Sequence, residues 1–382
     1  MKITVVCDVL GEETNGTTLA AANLIRYLQS QKDIELNVLC ADQEKKELSN
    51  YYVVPNLSFG KLIDSLIAKN NVKLAKPDDE IVVKALKDAE HVHIMLPFVL
   101  GRHALKYCKQ HGITTTAGFH AQAENLSSHF RVQNVEFINK AIYKNFYKGF
   151  YKDINGIHYP TQFIKDDFEN RLKIKTNGYI ISNGVNTVIT KQNVEKPQEL
   201  KDKIVILSTG RFAVEKNHQT LIRAVKYSKY KDKIQLIFAG QGPLENKFKR
   251  MAKSLPNYPI FKVYPRNEMT NVINMSDLYV HPAIIELEGI ACLEAICAGK
   301  LVIVSDSKKS AATNFVVDQK CIFKNRNPKD LARVIDYWIE HPKEKQECEE
   351  KFLQSADKYN QDKCMKKMLE MMIEVHKKYG NQ

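Results

Sequence analysis

The segment YVHPAIIELEGIACLEAICAG (residues 279–299) decides the fold, because it holds a strand, a loop and a helix in the order of a parallel α/β unit. The predicted strand ends at Pro282, the loop carries Glu286 and Glu288, and the predicted helix covers 291–298. Gly289 lets the chain turn between loop and helix.

Glu294 is the only charged residue of this otherwise apolar helix. A buried carboxylate is costly without a partner, and the two hydroxyl donors of a ribose diol would satisfy it. The alternative is that Glu294 lies on the exposed edge of the helix.

The pattern continues on both sides, since runs rich in β-branched residues alternate with helical periodicities almost throughout. The predicted strands are Ile3–Val6, Leu36–Cys40, Val92–Met95, Thr114–Gly118, Gly156–Tyr159, Tyr179–Ile181, Ile204–Thr209, Leu236–Ala239, Leu278–His281 and Leu301–Ser305. The predicted helices begin near Thr17, Asp79, Phe98, Gln133, Gln162, His218, Pro243, Met269, Ala291 and Pro328.

The length of 382 residues suits two α/β domains, and a polar segment (186–202) divides the two sets of strands. We therefore predict two Rossmann-like domains, 1–190 and 191–355, with parallel sheets that face each other across a cleft. Apolar residues at helical spacing predict that a C-terminal helix (356–382) packs back on the first domain.

Composition excludes several classes of protein. Hydrophobic residues make up 44% and charged residues 26%, and no apolar run reaches the roughly 18–20 residues of a membrane span. The N-terminus is interpreted as a first strand and not as a signal peptide, so a cytoplasmic location is expected, with the inner face of the cell membrane as the alternative. The eight scattered cysteines are expected to be reduced thiols. Because Cys292 and Cys297 have no histidine or second cysteine pair at zinc spacing, we predict no metal site.

The net charge of +13 and the isoelectric point near 9.1 indicate an anionic partner. A nucleotide diphosphate, a nucleic acid and an acidic membrane surface all remain compatible with this charge.

The segment STGRFAVEK (208–216) places Arg211 and Lys216 in the loop after a predicted strand, where open parallel sheets bind ligands. Two such cations suit a diphosphate. They can also replace a divalent ion in stabilising a diphosphate that leaves during a reaction. The alternative is a pair of solvated surface charges with Glu215 between them.

The next strand ends in FAGQGPLE (238–245), where Gly240 and Gly242 would permit close approach of a ligand. A helix predicted to open at Pro243 would direct its N-terminus at an anion. The motif is weak, because many strand-to-helix turns use glycine.

These motifs together resemble family-four retaining glycosyltransferases of GT-B fold. The resemblance rests on Glu286 and Glu294 with seven residues between them, Ala295-x-x-x-Gly299, Gly210-Arg211 with Lys216, Ala239-Gly240-x-Gly242, and Ser182-Asn183-Gly184-Val185. Two positions depart from the family pattern: Leu287 replaces a glycine and Glu288 adds a charge, and Ser182 stands where a proline is usual.

The resemblance implies roles for these residues. Glu294 would bind the donor ribose, and Glu286 would contact the transferred sugar beside its anomeric carbon. Arg211 and Lys216 would hold the diphosphate. The same resemblance adds four backbone positions to the donor site: Gly240, Gly242, Gly289 and Ile290. It implies a nucleotide-sugar co-substrate, with UDP-glucose the most frequent donor, and no cofactor or metal.

In the N-terminal half, AGFHAQAEN (117–125) contains His120, which is similar to a family histidine that contacts the donor sugar. The loop GEETNGTT (11–18), with Gly16, resembles a loop that borders donor phosphate and acceptor. A lone histidine at a strand end also suits a purely structural role. We assign no general base, and expect same-face attack with the leaving phosphate assisting deprotonation of the acceptor.

The segment INKAIYKNFYKGFYKDI (138–154) predicts a basic, aromatic amphipathic helix. Its lysines recur every four residues at Lys140, Lys144, Lys148 and Lys152, with aromatic residues on neighbouring faces. Such a helix can lie in an anionic membrane interface, or it can pack its aromatic side on the sheet while its lysines face water. The segments 158–164 and 117–125 resemble bacterial members that act on diacylglycerol or related lipids, which favours a lipid acceptor.

Other functions stay open. The acceptor could be a soluble molecule or a cell-surface polysaccharide precursor. A UDP-sugar epimerase would need further acidic residues that we do not find. Nucleic-acid binding is suggested by charge alone, and the lysines are dispersed. The signature glutamates and both cations argue against an inactive binding protein.

Overall fold

The computed structural model describes residues 1–8, 10, 16–57, 75–128 and 132–380, which form two compact units. The first unit contains Met1–Asn183 and Asp362–Gln382, and the second contains Gly184–Gln361. The boundaries therefore lie a few residues from the expected positions at 190 and 355. The first boundary falls at Gly184, whose φ of +77° is a left-handed conformation that glycine adopts readily.

The first unit is built on a parallel seven-stranded sheet in the order β3-β2-β1-β4-β5-β6-β7. Its strands are Lys2–Cys7 (β1), Glu35–Cys40 (β2), Tyr51–Val53 (β3), His91–Ile94 (β4), Thr114–Gly118 (β5), Gly156–Tyr159 (β6) and Gly178–Ile180 (β7). Every neighbouring pair is parallel. This strand order is that of a Rossmann-type sheet.

The described helices of this unit follow the strands that they cover. They are Gly16–Gln29, Asp79–Leu86, Val99–Gln110, Ala123–Ser128, Glu136–Gly149 and Gln162–Leu172. The C-terminal helix Gln361–Tyr379 completes the unit. Its His376 Nδ1 lies 3.1 Å from Thr114 Oγ1 in β5, and its Glu374 accepts a hydrogen bond of 2.9 Å from the Tyr179 hydroxyl in β7.

The core of the first unit includes buried histidines among its apolar strands. His91 contacts Thr114 through Nδ1 at 2.9 Å and Thr116 through Nε2 at 2.8 Å, and His93 Nδ1 contacts Thr116 at 2.9 Å. Neighbouring strands thus supply hydrogen-bond partners for both ring nitrogens of His91 and for Nδ1 of His93.

The second unit repeats the architecture with six parallel strands in the order β10-β9-β8-β11-β13-β15. They are Ile204–Thr209 (β8), Ile234–Ala239 (β9), Ile260–Lys262 (β10), Leu278–His281 (β11), Val302–Ser305 (β13) and Ile322–Phe323 (β15). Two short strands, Ile285–Glu286 (β12) and Lys309–Ser310 (β14), form a separate parallel pair. The described helices are His218–Val225, Glu245–Ala252, Arg266–Met275, Ile290–Cys297, Pro328–Glu340 and Pro342–Ser355.

The predicted segment 138–154 is not one helix. The helix ends at Gly149, Phe150 has φ −155° and ψ −70°, and a separate 3₁₀ turn covers Tyr151–Asp153. Phe150 and Tyr151 therefore turn into the core, where both are buried. Their burial explains why the chain leaves the helical path here.

The eight cysteines all lie in the described ranges, and no two of them are joined in a disulfide. No described helix is both long and apolar enough to cross a membrane.

Candidate active site

The candidate site of the second unit lies where its sheet reverses strand order, between β8 and β11. Loops at the carboxyl ends of these strands are the usual ligand crevice of an open α/β sheet. The loop after β8 carries Arg211 and Lys216, and the loop after β11 leads to Glu286. The sheet topology thus gathers residues that are far apart in sequence.

The loop after β8 is fastened to the loop after β9 by the backbone. Gly210 donates to Ala239 at 3.0 Å, Phe212 donates to Gln241 at 2.9 Å, and Leu244 donates to Phe212 at 2.9 Å. These bonds fix the path of the backbone on either side of Arg211, which is half-buried.

Gly240 and Gly242 are explained by this contact between loops. A Cβ at Gly240 would lie 2.2 Å from the Gly210 carbonyl oxygen, and one at Gly242 would lie 2.7 Å from the backbone of Phe212. The following helix begins at Glu245, two residues later than the predicted start at Pro243. Packing of the protein's own backbone therefore explains why neither position carries a side chain, and their contact with a ligand stays a prediction.

Glu286 is positioned by a loop with several side-chain supports. Asn217 donates to the Pro282 carbonyl at 3.2 Å, and Ser305 donates to the Ala283 carbonyl at 2.6 Å. Ser307 donates to the Ile284 carbonyl at 2.6 Å. The short strand β12 then pairs with β14 and directs Glu286 to a buried position.

Glu286 forms an ion pair with Lys216 and accepts a hydrogen bond of 2.9 Å from Nε2 of His281. Burial alone would raise the pKa of Glu286, but the Lys216 ammonium and His281 outweigh burial and hold the pKa at about 2. Glu286 is therefore a carboxylate at neutral pH. Lys216, one of the two predicted cations, is not a solvated surface charge.

His281 is the first of three buried polar side chains in contact, with Tyr279 and Thr209, which the sequence did not indicate. While Nε2 donates to the Glu286 carboxylate, Nδ1 on the other side of the ring lies 3.4 Å from the Tyr279 hydroxyl. The Tyr279 hydroxyl in turn lies 2.7 Å from Thr209 Oγ1. His281 was missed because it lies within an apolar strand pattern, and its approach to Glu286 depends on the turn between them.

Glu294 is buried, with 5% of its surface exposed, so the exposed-edge interpretation is wrong. Its helix begins at Ile290 after Gly289, whose φ of +90° explains the glycine. Glu294 Oε1 lies 2.6 Å from Arg266 Nη1, a contact short enough for an ion pair but without the direction of a hydrogen bond. Burial raises the pKa of Glu294, and the Arg266 charge opposes that rise.

Arg266 was also missed by the sequence analysis. It is the first residue of its helix and follows Pro265 in the loop after the edge strand β10. Its position after a strand of a parallel sheet was a signal that could have identified it. Glu288, the additional acidic residue of the loop, is buried.

His120 lies in the first unit, directly after β5, and is buried. Burial and the neighbouring His158 ring lower the pKa of His120 to about 3, so the ring is neutral at pH 7. Its Nε2 has no hydrogen-bond partner among the described residues. The ring lies over Gly118, where a Cβ would be 2.3 Å from that nitrogen. A neutral ring with one unused nitrogen can exchange a hydrogen bond with a sugar hydroxyl.

The predicted loop 11–18 lies largely outside the described residues. Gly16 is described and begins the helix Gly16–Gln29. In the described ranges, no group of three or more His, Cys, Asp or Glu residues is arranged to hold a metal ion.

The helix Glu136–Gly149 presents three kinds of surface. Tyr143 and Phe146 are buried, which agrees with the interpretation that the aromatic side packs inward. All the lysines that were predicted for the acceptor side are exposed: Lys140, Lys144 and Lys148, as is the following Lys152. A third surface was not foreseen. It is an open apolar groove, here called the 137–146 groove, which is lined by Leu126, Phe137, Ile138, Ala141, Ile142, Asn145 and Phe146.

Two family models match consecutive parts of the chain. The model described as Glycosyltransferase Family 4 matches residues 14–188, and the model described as Glycosyl transferases group 1 matches residues 190–354. Together with the two Rossmann-like sheets, these matches define a glycosyltransferase of GT-B fold, which confirms the predicted fold class.

The chain belongs to the family-four glycosyltransferases. One curated relative, alpha-monoglucosyldiacylglycerol synthase of Streptococcus pneumoniae, is 22% identical over 319 residues, which are 79% of this chain and 70% of the relative. Protein CapJ of Staphylococcus aureus is 26% identical over 323 residues, or 81% of this chain and 77% of that protein.

A solved structure supports the same fold. The structure of Anabaena Alr3699/HepE in complex with UDP-glucose has a TM-score of 0.73 at 14% identity, and the match covers 98% of this chain and 100% of that one.

Proposed function

We propose that this glycosyltransferase is a retaining enzyme that transfers a hexose, glucose from UDP-glucose, to a hydroxyl group of a membrane lipid such as diacylglycerol. The observation that carries the proposal is the ionised Glu286 between Lys216 and His281, at the switch point of the second sheet.

The donor would bind to the second unit through three charged side chains, Arg211, Lys216 and Glu294. Lys216 and the half-buried Arg211 share one short loop, and two cations there suit a diphosphate. Glu294 supplies a buried carboxylate that can accept both hydroxyl donors of a ribose. The Anabaena neighbour is a complex with UDP-glucose, which favours UDP-glucose as the first donor to test.

The reaction would need no metal ion, because Arg211 and Lys216 can take up the charge that develops on the leaving diphosphate. Glu286 cannot donate a proton at neutral pH, since its pKa lies near 2. It is suited instead to accept hydrogen bonds from the transferred sugar and to stabilise positive charge near the anomeric carbon. The leaving phosphate would help to deprotonate the acceptor, which attacks from the same face.

A lipid acceptor is favoured by the Streptococcus pneumoniae relative, whose name states a glucosyldiacylglycerol product. It is also favoured by the 137–146 groove. Phe137 is 74% exposed there, and the side chains of Lys140, Lys144 and Lys148 extend from the adjoining face of the same helix. Apolar residues beside lysines are the pattern of a helix that lies in an anionic membrane interface. Tyr143, which is fully buried, would take no part.

The test is a transfer assay with purified protein, EDTA, and UDP-, GDP- and ADP-glucose, with and without diacylglycerol in anionic micelles. We expect labelled glucolipid from UDP-glucose, with the α configuration of the donor retained in the product by NMR.

Each part of the proposal can fail separately. Nucleotide release without lipid labelling would contradict the lipid acceptor and direct attention to soluble or polysaccharide-precursor acceptors. A β-linked product would contradict retention, and a reaction abolished by EDTA would contradict independence from metal. A product epimeric to the donor sugar would indicate an epimerase.

A further inference from the structure

Arg266 covers the carboxylate that the proposed donor site needs. We propose that Arg266 occupies Glu294 in the ligand-free enzyme and is displaced when the donor ribose binds, so that it competes with the donor and lowers its affinity. This inference rests on the proposed function, because it assumes that Glu294 accepts the ribose hydroxyls.

The contact has the features of an exchangeable partner. Glu294 is buried, and a buried carboxylate left without a counter-charge is costly. Arg266 supplies that charge at 2.6 Å, yet 42% of its own side chain is exposed. Much of the guanidinium is already hydrated, so moving it fully into water changes its solvation little. Glu294 stays buried and cannot move in this way. The movable member of the pair is Arg266.

The contact is also poorly directed. No N–H of Arg266 points along the line to Glu294 Oε1, and that oxygen accepts no aligned hydrogen bond from any described residue. A ribose diol would supply two aligned hydroxyl donors to one carboxylate. Exchange of Arg266 for ribose thus replaces an ion pair of modest strength by directed hydrogen bonds, while the carboxylate remains satisfied.

Arg266 is placed where such movement is possible. It stands at the first position of the helix Arg266–Met275, so its backbone is held by the helix while its long side chain leaves the end of it. No other ion pair of Arg266 is found among the described residues. Release from Glu294 therefore disrupts no second contact of this kind.

The decisive measurement is the affinity of UDP by titration calorimetry at pH 8.5 for the wild type, Arg266→Gln and Arg250→Gln. Arg250 is an exposed arginine of the same unit, so its replacement changes net charge equally. We expect Arg266→Gln to bind UDP about two- to fivefold more tightly, which is the range that a half-exposed ion pair allows. Arg250→Gln should bind like the wild type, and thermal unfolding will check that the variants fold.

A change of pH tests the mechanism. Burial raises the pKa of Glu294 and the Arg266 charge opposes that rise, so removal of the charge should raise the pKa further. As the pH is lowered from 8.5, UDP affinity should therefore begin to fall at a higher pH in Arg266→Gln than in the wild type. The same pH dependence in both proteins would contradict competition for an ionised Glu294.

A double-mutant cycle separates this inference from the proposed function. In a Glu294→Gln background, Arg266→Gln should no longer tighten UDP binding. If Glu294→Gln weakens UDP binding while Arg266→Gln has no effect or weakens it in the wild-type background, only the inference about Arg266 is overturned. If the wild type binds none of UDP, GDP and ADP, the proposed donor site fails, and this inference fails with it.

Discussion

Single residues decide the charge state of the candidate site. Lys216 offsets the burial of Glu286, and without it the pKa of that carboxyl group would rise. The same lysine is the cation proposed to act on the leaving diphosphate. One side chain therefore has two separable effects, on the rate of transfer and on its pH dependence.

Lys216→Met should lower kcat/KM for transfer by about a hundred- to a thousandfold, because one electrostatic stabiliser of the leaving group is lost. As the solution is acidified, the residual activity should begin to fall at a higher pH than the wild-type activity, because the pKa of Glu286 rises when the Lys216 charge is removed. Lys226→Met, at an exposed lysine of the same unit, is the control. A wild-type rate in Lys216→Met would contradict the role.

The sequence identified Glu286, Lys216 and Glu294 because their spacing resembles a known family pattern. It did not identify His281 or Arg266, whose relevance depends on contacts. Arg266 follows β10 and Glu294 follows β11, and two other strands lie between β10 and β11 in the sheet, so no local pattern indicates their contact. The sequence did identify Gly242, but not its packing against the Phe212 backbone, which joins two loops.

At the scale of elements, the helix Glu136–Gly149 combines exposed lysines with the 137–146 groove. A change of Lys140, Lys144 and Lys148 to Glu should weaken binding to anionic vesicles by more than tenfold, because each lysine near such a surface contributes about 1 kcal/mol. Binding is measured by vesicle sedimentation, with transfer to lipid measured in parallel.

The matched control is a change of Lys201, Lys231 and Lys233 to Glu, since these are exposed lysines of the second unit and the net charge changes equally. Equal losses in the two triple variants would mean that overall charge, and not this helix, attracts the vesicle. Phe137→Ser, with the lysines retained, should weaken binding at high salt most strongly, because apolar contact is not screened.

Elements with a strong pattern were predicted well. Thr114–Gly118, Gly156–Tyr159, Ile204–Thr209 and Leu278–His281 match their predicted bounds. The edge strands Tyr51–Val53 and Ile260–Lys262 were missed, because three residues are too few to show periodicity. The helix Pro342–Ser355 was missed because its sequence is mostly polar and buries little. The end of the helix at Gly149 was missed because lysines and aromatic residues continue past it at helical spacing.

At the scale of the whole molecule, buried neutral histidines link stability to pH. Burial lowers the pKa of His91 to about 3, that of His158 to about 4 and that of His93 well below its usual value. In the unfolded chain these rings recover a pKa near 6.5. Below pH 6.5 the unfolded state therefore binds more protons than the folded state, and the free energy of unfolding falls as pH falls toward 4; above pH 6.5 the effect vanishes.

Each of these rings should lower the free energy of unfolding by about 1 kcal/mol when the pH falls from 7 to 5.5. The protection factors for hydrogen exchange in β5 and β6, which are corrected for the slower intrinsic exchange at lower pH, should therefore fall as the pH is lowered. His158→Gln should reduce this acid sensitivity, since an amide can still donate to the Ile181 carbonyl that His158 Nε2 contacts at 2.6 Å. His111→Gln, at an exposed histidine, should leave it unchanged. An unchanged pH dependence in His158→Gln would contradict the linkage.

The chain leaves the first unit at Asn183 and returns to it at Asp362. The returning helix buries methionines and Val375 against strands made hundreds of residues earlier, with Val375 so close to Gly156 that a Cβ there would lie 2.7 Å away. On the ribosome, the second unit is complete before this helix has been synthesised. We therefore expect the usual order of co-translational folding to be reversed: the unit that begins first finishes last, and an early stop codon after residue 361 would damage the N-terminal half of the enzyme.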